Sequence, residues 1–145
     1  MQKNIFLAFC ALVCLSACRA QAPLIGADRD SHGCIPSAGG VWSQVLAQCV
    51  QPWRDGIALT QVAPQGSAVF AAYVILSEDG TQAEVFTKDG AFVLKRSFTP
   101  DGPQWTDRSH TLKRLPAAWE WYENNTLTYR QDTARQIDTF YCELV

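Results

Sequence analysis

The chain has 145 residues, of which 48% are hydrophobic and 18% charged, and its formal net charge at pH 7 is -2. This composition predicts a folded single domain and excludes an intrinsically disordered chain. Because basic residues are not in excess, we expect no binding to nucleic acid. The sequence has no basic amphipathic helix, so any membrane contact is expected to come from an attached lipid alone.

The N-terminus has the organisation of an export signal. A start with one positive charge, Lys3, precedes an apolar run over residues 5–15, which is shorter than the roughly 20 residues of a spanning helix. The run leads directly into Leu15-Ser16-Ala17-Cys18. This stretch resembles the lipobox of bacterial lipoproteins, which are cut before the cysteine and acylated on it. The alternative is an ordinary secretory signal that is cut further on, near Ala20-Gln21-Ala22.

The lipoprotein resemblance implies a signal peptide over residues 1–17, a lipidated Cys18 and a short tether to residue 28. Several acyl chains anchor a protein stably, whereas one chain does so marginally. Arg19 stands where an aspartate retains enteric-type lipoproteins in the inner membrane. The resemblance therefore implies the periplasmic side of the outer membrane, with inner-membrane retention as the alternative under other sorting rules. Fully extended, the tether spans about 33 Å.

Three cysteines remain beyond the signal and Cys18: Cys34, Cys49 and Cys142. In an oxidising compartment, we predict a disulfide between Cys34 and Cys49, which lie in one segment rich in glycine and proline. Closing a loop of 15 residues stabilises a fold by roughly 3 kcal/mol in the chain-entropy model. Cys142 would then be free. The alternatives pair Cys142 with Cys34 or with Cys49.

The segment around these cysteines, residues 29–55, offers no strong metal site. Asp28, Asp30 and His32 alternate as in a calcium loop, but the twelfth position is Gly39 rather than glutamate. Zinc ligation by His32 with the two cysteines is the alternative to a turn with an exposed histidine. We expect the turn, with neither metal nor cofactor, and either a short helix or a strand over residues 41–49.

The same segment carries a second resemblance. The stretch His32-Gly-Cys-Ile-Pro-Ser-Ala-Gly39, followed by Trp42, Cys49 and Trp53, resembles part of small uncharacterised bacterial lipoproteins. That resemblance implies no activity.

From residue 56 to 145 the chain alternates short apolar runs with turn residues. This pattern predicts an all-β domain, residues 29–145 in all, with about seven or eight antiparallel strands in a small barrel or sandwich. Aspartate–glycine and proline pairs mark the turns, including a loop over 100–104. The expected strands cover residues 57–62, 68–76, 83–87, 92–98, 109–115, 119–123, 126–130 and 137–144.

The clearest hairpin runs from Trp119 to Arg130, with Asn124-Asn125 as a two-residue turn. Regular pairing places Trp121 opposite Thr128 and Trp119 beside Arg130, where a cation–π contact is expected. Trp119 and Trp121 then share one face with Thr128 and Arg130. We take the two tryptophans as a candidate binding face.

Catalytic signatures are absent from the sequence, so we predict that the protein is not an enzyme. His110 follows Ser109 on a predicted strand and is expected at the surface. A carboxylate pair of the glycosidase type is the alternative to solvated acidic residues. Its candidates are Asp101, Asp107, Glu120 and Glu123.

Residues 81–130 also resemble, more distantly, the membrane-bound c-type lysozyme inhibitors of Gram-negative bacteria. The inhibitory pattern Ser-Gly-x-x-Tyr corresponds here to Asp101-Gly102-Pro103-Gln104-Trp105, in which only Gly102 is identical. The resemblance implies a small antiparallel barrel whose loop enters a lysozyme cleft with an aromatic tip, here Trp105. The binding loop would thus comprise Asp101, Gly102 and Trp105.

These patterns together predict a lipid-anchored, periplasm-facing envelope lipoprotein. We expect it to act as a small binding or structural module whose ligand the sequence does not specify, with an envelope protein or lysozyme as the candidate protein partner. The alternative is a lysozyme inhibitor that uses the loop over residues 100–105.

Overall fold

The structure is a computed structural model that describes residues 28–132. A short N-terminal segment, residues 28–56, precedes an eight-stranded barrel. The segment contains a 3-10 turn (Pro36–Ala38), strands β1 (Val41–Ser43) and β2 (Gln48–Val50), and a helical turn α1 (Pro52–Asp55). The barrel strands are β3 (Ile57–Gln61), β4 (Ala71–Leu76), β5 (Gln82–Thr87), β6 (Gly90–Thr99), β7 (Gly102–Thr106), β8 (His110–Arg114), β9 (Trp119–Glu123) and β10 (Thr126–Arg130).

The barrel is an antiparallel meander in which each strand pairs with the next one along the chain. Pairing of β10 with β3 closes it, through Tyr129 opposite Gln61 and Arg130 opposite Thr60. The predicted all-β fold of seven or eight strands is confirmed, and it is a barrel rather than a sandwich. Closure pairs the backbone N–H and C=O groups that the edge strands of an open sheet would leave exposed.

A meander places alternate connections at opposite ends of the barrel. The proximal end, where β3 begins, carries the connections 77–81, 100–101 and 115–118. The distal end carries the connections 62–70, 88–89, 107–109 and 124–125.

Inward-facing side chains fill the barrel. Side chains alternate between the two faces of a strand, so every second residue points inward. The largest of them, Trp121, has no exposed surface. The buried cluster also contains Leu59, Ala72, Val74, Ala83, Val85, Leu94, Trp105, Leu112, Trp119 and Tyr129.

The N-terminal segment is closed by the predicted disulfide between Cys34 and Cys49, whose Cα atoms lie 5.5 Å apart. Residues 41–49 form two paired strands with a turn between them, so the strand alternative is correct. Cys34 is buried and Cys49 is exposed. The disulfide thus links the stretch before the 3-10 turn, where Cys34 is buried, to strand β2, where Cys49 is exposed.

A buried carboxylate attaches this segment to the barrel. Glu84 lies on the outward face of β5 yet is fully buried, because the β1–β2 hairpin covers it. Its Oε2 accepts hydrogen bonds from Ser43 Oγ at 2.7 Å and from the Gln44 N–H at 3.0 Å. A buried carboxylate requires such donors. Oε1 of Glu84 has no hydrogen-bond partner within residues 28–132.

Two strand predictions need correction. The strand expected over 68–76 begins only at Ala71, and Val69 and Phe70 are exposed. The loop expected over 100–104 is shorter, because Gly102 already pairs with Thr99 at the start of β7. The first boundary was inferred from hydrophobicity, although apolar residues also occupy exposed loops. The second was inferred from proline and glycine, although Gly102 and Pro103 lie within β7.

The hairpin of β9 and β10 turns at Asn124-Asn125 as predicted, with φ angles of 47° and 64°. Its register shifts between Leu127 and Tyr129. Tyr129, rather than Thr128, therefore lies opposite Trp121. A shift of one residue exchanges the two faces of a strand, which puts Tyr129 into the core and Arg130 outside.

Some sequence predictions fall outside the described residues. They are the lipobox and Cys18, most of the tether, and the strand over 137–144 with Cys142.

Candidate functional site

The expected binding face of Trp119 and Trp121 is wrong, because both side chains are buried in the core. Trp121 donates its indole N–H to Glu123 Oε1 at 2.9 Å, which satisfies its one polar group. Trp119 packs against Trp105 with ring centroids 5.3 Å apart. Both residues stabilise the barrel interior rather than contact a partner.

The expected aromatic tip of the loop over residues 100–105 is also wrong. Trp105 lies on β7 with its ring in the core and donates its indole N–H to the carbonyl of Gly80 at 3.1 Å. Asp101 stays exposed in the turn, and Gly102 adopts φ 122°, a conformation suited to glycine. The loop over residues 100–105 therefore does not expose the aromatic side chain of position 105.

The predicted cation–π contact of Trp119 with Arg130 is replaced by two other contacts. The Arg114 guanidinium lies 5.6 Å from the Trp119 ring. Arg130 Nε instead donates to Glu120 Oε1 at 2.9 Å on the outer face. Burial would raise the pKa of Glu120, but hydrogen bonds from the Tyr122 hydroxyl and Arg130 outweigh it and lower that pKa.

The distal end exposes large apolar side chains that the sequence did not single out. Val62, Val69 and Phe70 lie on the connection between β3 and β4, and Val69 is 59% exposed. The connection is held at its base, where the Val62 N–H donates to the Thr128 carbonyl at 2.9 Å. The Gln61 N–H also donates to the Phe70 carbonyl. These apolar side chains are thus presented on an anchored loop.

Asp107 and His110 form a tight pair at the same end of the barrel, on the connection between β7 and β8. Both carboxylate oxygens of Asp107 contact His110 Nδ1, at 3.0 and 2.9 Å. The same carboxylate accepts the N–H groups of Ser109 and His110. Burial would raise the pKa of Asp107, but these hydrogen bonds outweigh it and hold that pKa below its usual range.

His110 is half-buried rather than a surface residue. Its ring stacks on Trp121 with centroids 5.0 Å apart and contacts Phe92 at 4.2 Å. An ionised carboxylate only accepts hydrogen bonds, so Nδ1 carries the proton that faces Asp107. Among residues 28–132, the hydrogen-bonding partner of the His110 ring is Asp107, through Nδ1.

Glu123 and Tyr129 complete the polar part of the distal end. Burial, and then the nearby charge of Glu123, raises the pKa of Tyr129, while Lys88 lowers it. Glu123 is also the cross-strand neighbour of His110. The candidate site therefore comprises an exposed apolar loop and a polar group formed by Asp107, His110 and Glu123, both at the distal end of the barrel.

The histidine and cysteine side chains of residues 28–132 do not converge on a metal site. This part of the chain holds no group of three or more His, Cys, Asp or Glu side chains arranged for a metal ion. His32 stacks on Trp42 at 4.5 Å, and Cys34 and Cys49 are oxidised. None of the helices between residues 28 and 132 has the length and apolar character needed to span a membrane.

Two sequence signals could have identified parts of this end. Asp107-x-Ser109-His110 has the spacing of an Asx turn, in which the carboxylate accepts backbone N–H groups two and three residues later. Pro64-Gln65-Gly66 marks the start of a loop, but no turn residue marks the position at which β4 begins. The exposure of Val69 and Phe70 follows from that boundary.

Comparison with protein-family models, with curated proteins and with solved structures finds no match for this chain.

Proposed function

We propose that the protein is a lipid-anchored envelope lipoprotein that binds a protein partner through the distal end of its barrel. The lipid on Cys18 would hold it at the periplasmic side of the outer membrane. The observation that carries the proposal is the anchored loop with Val62, Val69 and Phe70 exposed. Exposed apolar groups that lie together on a small protein commonly mark an interface.

The filled interior supports binding at the surface rather than inside the barrel. Trp121 and its neighbours occupy the space in which larger barrels hold a ligand. A protein surface then provides the more natural partner for the exposed loop. The loop is hydrogen-bonded at both ends, so little conformational entropy is lost when it docks.

The other side chains of the distal end fit an interface that combines apolar and polar contacts. Asp107 and Glu123 supply carboxylates, and Asp107 holds Nδ1 of the half-buried His110 ring. A partner with both an apolar surface and hydrogen-bond donors is complementary to this end of the barrel.

Site-specific photo-crosslinking tests the interface. A photoreactive phenylalanine analogue replaces Phe70 in one variant and Phe98, at the proximal end, in a matched control, in detergent-solubilised envelope. We expect an adduct of higher mass from position 70 that Val69→Asp in the same chain removes. Adducts from position 98 alone, or from neither position, would contradict the proposed interface.

The lipid anchor is tested separately. Labelled palmitate should enter the protein and be lost in Cys18→Ser, which also shifts the protein from the membrane to the soluble fraction. Unlabelled protein that remains membrane-bound in both forms would exclude a lipid at Cys18.

Inhibition of lysozyme is the second proposal, and the small antiparallel barrel favours it because the resemblance implies that fold. With Trp105 buried, the contact would have to come from Asp101 and Gly102. We expect the purified protein to slow lysozyme and Gly102→Arg to abolish the effect. Full lysozyme activity at a large excess of protein would exclude this function.

A further inference from the structure

The proximal end exposes the most accessible large apolar side chain of residues 28–132. Phe98 is 74% exposed. It lies on β6 four residues after buried Leu94, so it continues the inward-facing register beyond the filled core. The ring therefore lies at the rim of the barrel, past the point where the interior side chains end.

One arginine lies over this ring, and a second lies over Trp119 at the same end of the barrel. The Arg96 guanidinium lies 4.9 Å from the Phe98 centroid, and Arg114 lies over Trp119 on the neighbouring β8–β9 side of the same end. Both arginines are exposed. A small cleft of about 190 Å³ separates the turn around Asp101 from Lys113 and Arg114.

The connection next to Arg114 contains no charged side chain. It reads Leu115-Pro116-Ala117-Ala118, and Pro116 and Ala117 are exposed. The end of β6, the end of β8 and the connection 115–118 therefore bring an aromatic ring, small apolar residues and two arginines to one end of the barrel. We call this surface the proximal patch; its residues are Arg96, Phe98, Arg114 and 115–118.

The acidic residues of the proximal end lie mostly in another sector. Glu78 and Asp79 face the tip of the β1–β2 hairpin across a cleft of about 650 Å³. Asp79 is engaged within its own turn, where the Ser77 hydroxyl and then the Thr81 N–H and hydroxyl lower its pKa to about 2. Asp101 is the one acidic residue in the turn beside Phe98.

The N-terminal segment joins the barrel at this same end. Its last element, α1, leads directly into β3, and the hairpin tip at Val45, Leu46 and Ala47 lines the cleft with the 77–82 turn. Any anchor at Cys18 is therefore connected through this segment to the proximal end. A tether of ten residues reaches about 33 Å at most.

We propose that the proximal patch rests on the anionic phospholipid headgroups of the membrane that holds the lipid of Cys18. This inference rests on the proposed lipid anchor, and it goes beyond an attachment by the acyl chains alone. Arginine binds phosphate oxygens, and aromatic rings settle at the interface between headgroups and acyl chains. The barrel then stands with its distal end directed away from the membrane, toward a partner.

Fluorescence quenching by brominated lipids tests this orientation. The full-length protein is reconstituted into phosphatidylcholine vesicles with about 30 mol% phosphatidylglycerol, where the phosphatidylcholine carries bromine on its acyl chains. Phe98→Trp adds a reporter at the proximal patch, and Phe70→Trp adds a matched one at the distal end. We expect the emission added at position 98 to be quenched at least about twofold more than that added at position 70.

A charge reversal tests the role of the arginines. Arg114→Glu in the Phe98→Trp chain should lower the quenching by about half on anionic vesicles, whereas Lys88→Glu at the distal end should leave it unchanged. Equal quenching at positions 70 and 98, stronger quenching at 70, or protein that stays in the supernatant would overturn the proposal. The photo-crosslinking described above uses detergent without a bilayer, so its failure is distinguishable from failure here.

Discussion

The two ends of the barrel differ in chemistry although the same eight strands build both. At the distal end, an acidic and histidine-containing network of Asp107, His110 and Glu123 lies over Trp121. At the proximal end, Arg96 and Arg114 lie over Phe98 and Trp119. Each end thus has an aromatic layer, which is contacted by a carboxylate and a histidine at the distal end and by guanidinium groups at the proximal end.

This difference shows how a closed barrel separates stability from recognition. The inward-facing residues of the strand centres make the core, and the same register continued to the rims places residues where solvent or a partner contacts them. Leu94 and Phe98 illustrate this, because they share one face of β6 while one is buried and the other is largely exposed. Recognition therefore resides in the last residues of strands and in the connections.

The largest expected effect is on the free energy of unfolding, and it compares a core residue near the distal end with a residue at the proximal rim. Trp121→Ala should lower the free energy of unfolding by about 3–5 kcal/mol, because it leaves a cavity under His110 and Phe92. Phe98→Ala should change it by about 0.5 kcal/mol or less, since its ring is exposed. Chemical denaturation measures both, and similar losses for the two variants would contradict a core that ends before Phe98.

The next effect concerns the N-terminal segment, which only the proximal end possesses. Replacing Cys34 and Cys49 together by serine should cost about 3 kcal/mol, the value for a closed loop of 15 residues. Hydrogen exchange should accelerate in β1 and β2 before it does so in the distal connections. Uniform acceleration over the whole barrel would show that the segment is not an independent unit of stability.

A smaller effect probes the turn of the distal end. Asn125 adopts φ 64°, a left-handed conformation that alanine adopts at a cost of about 1–2 kcal/mol. Asn125→Ala should therefore lower the thermal midpoint, whereas Asn125→Gly should maintain or raise it. A loss in the glycine variant as large as that in the alanine variant would point to a side-chain contact of Asn125 instead of the backbone conformation.

The smallest effect is a pH dependence that belongs to the distal end. The pKa of Asp107 is lower in the folded chain than its ordinary value of about 3.9. Its contribution to stability is therefore complete above about pH 4 and is lost as the pH falls further, through the folded pKa. Between about pH 2 and 6, the thermal midpoint should fall less steeply with decreasing pH in Asp107→Asn than in Asp101→Asn. Equal slopes for the two variants would contradict this prediction.

Much of the fold follows from local patterns in the chain. The Asn124-Asn125 turn, the strand over 109–115 and the disulfide between Cys34 and Cys49 are confirmed, because turn residues and short loop closure act over a few neighbouring positions. The candidate site was mostly not predicted. Val69 and Phe70 have the hydrophobicity of strand residues, and their exposure depends on where β4 begins to pair.

Alternating side chains and turn residues are local features, and they suffice to predict short antiparallel strands over residues 56–132 after a disulfide-linked segment. Which side chains point into the barrel depends instead on pairings between distant parts of the chain. The register shift after Leu127 and the pairing of β10 with β3 place Tyr129 and Trp121 inside and Arg130 outside, and a shift of one residue exchanges the two faces.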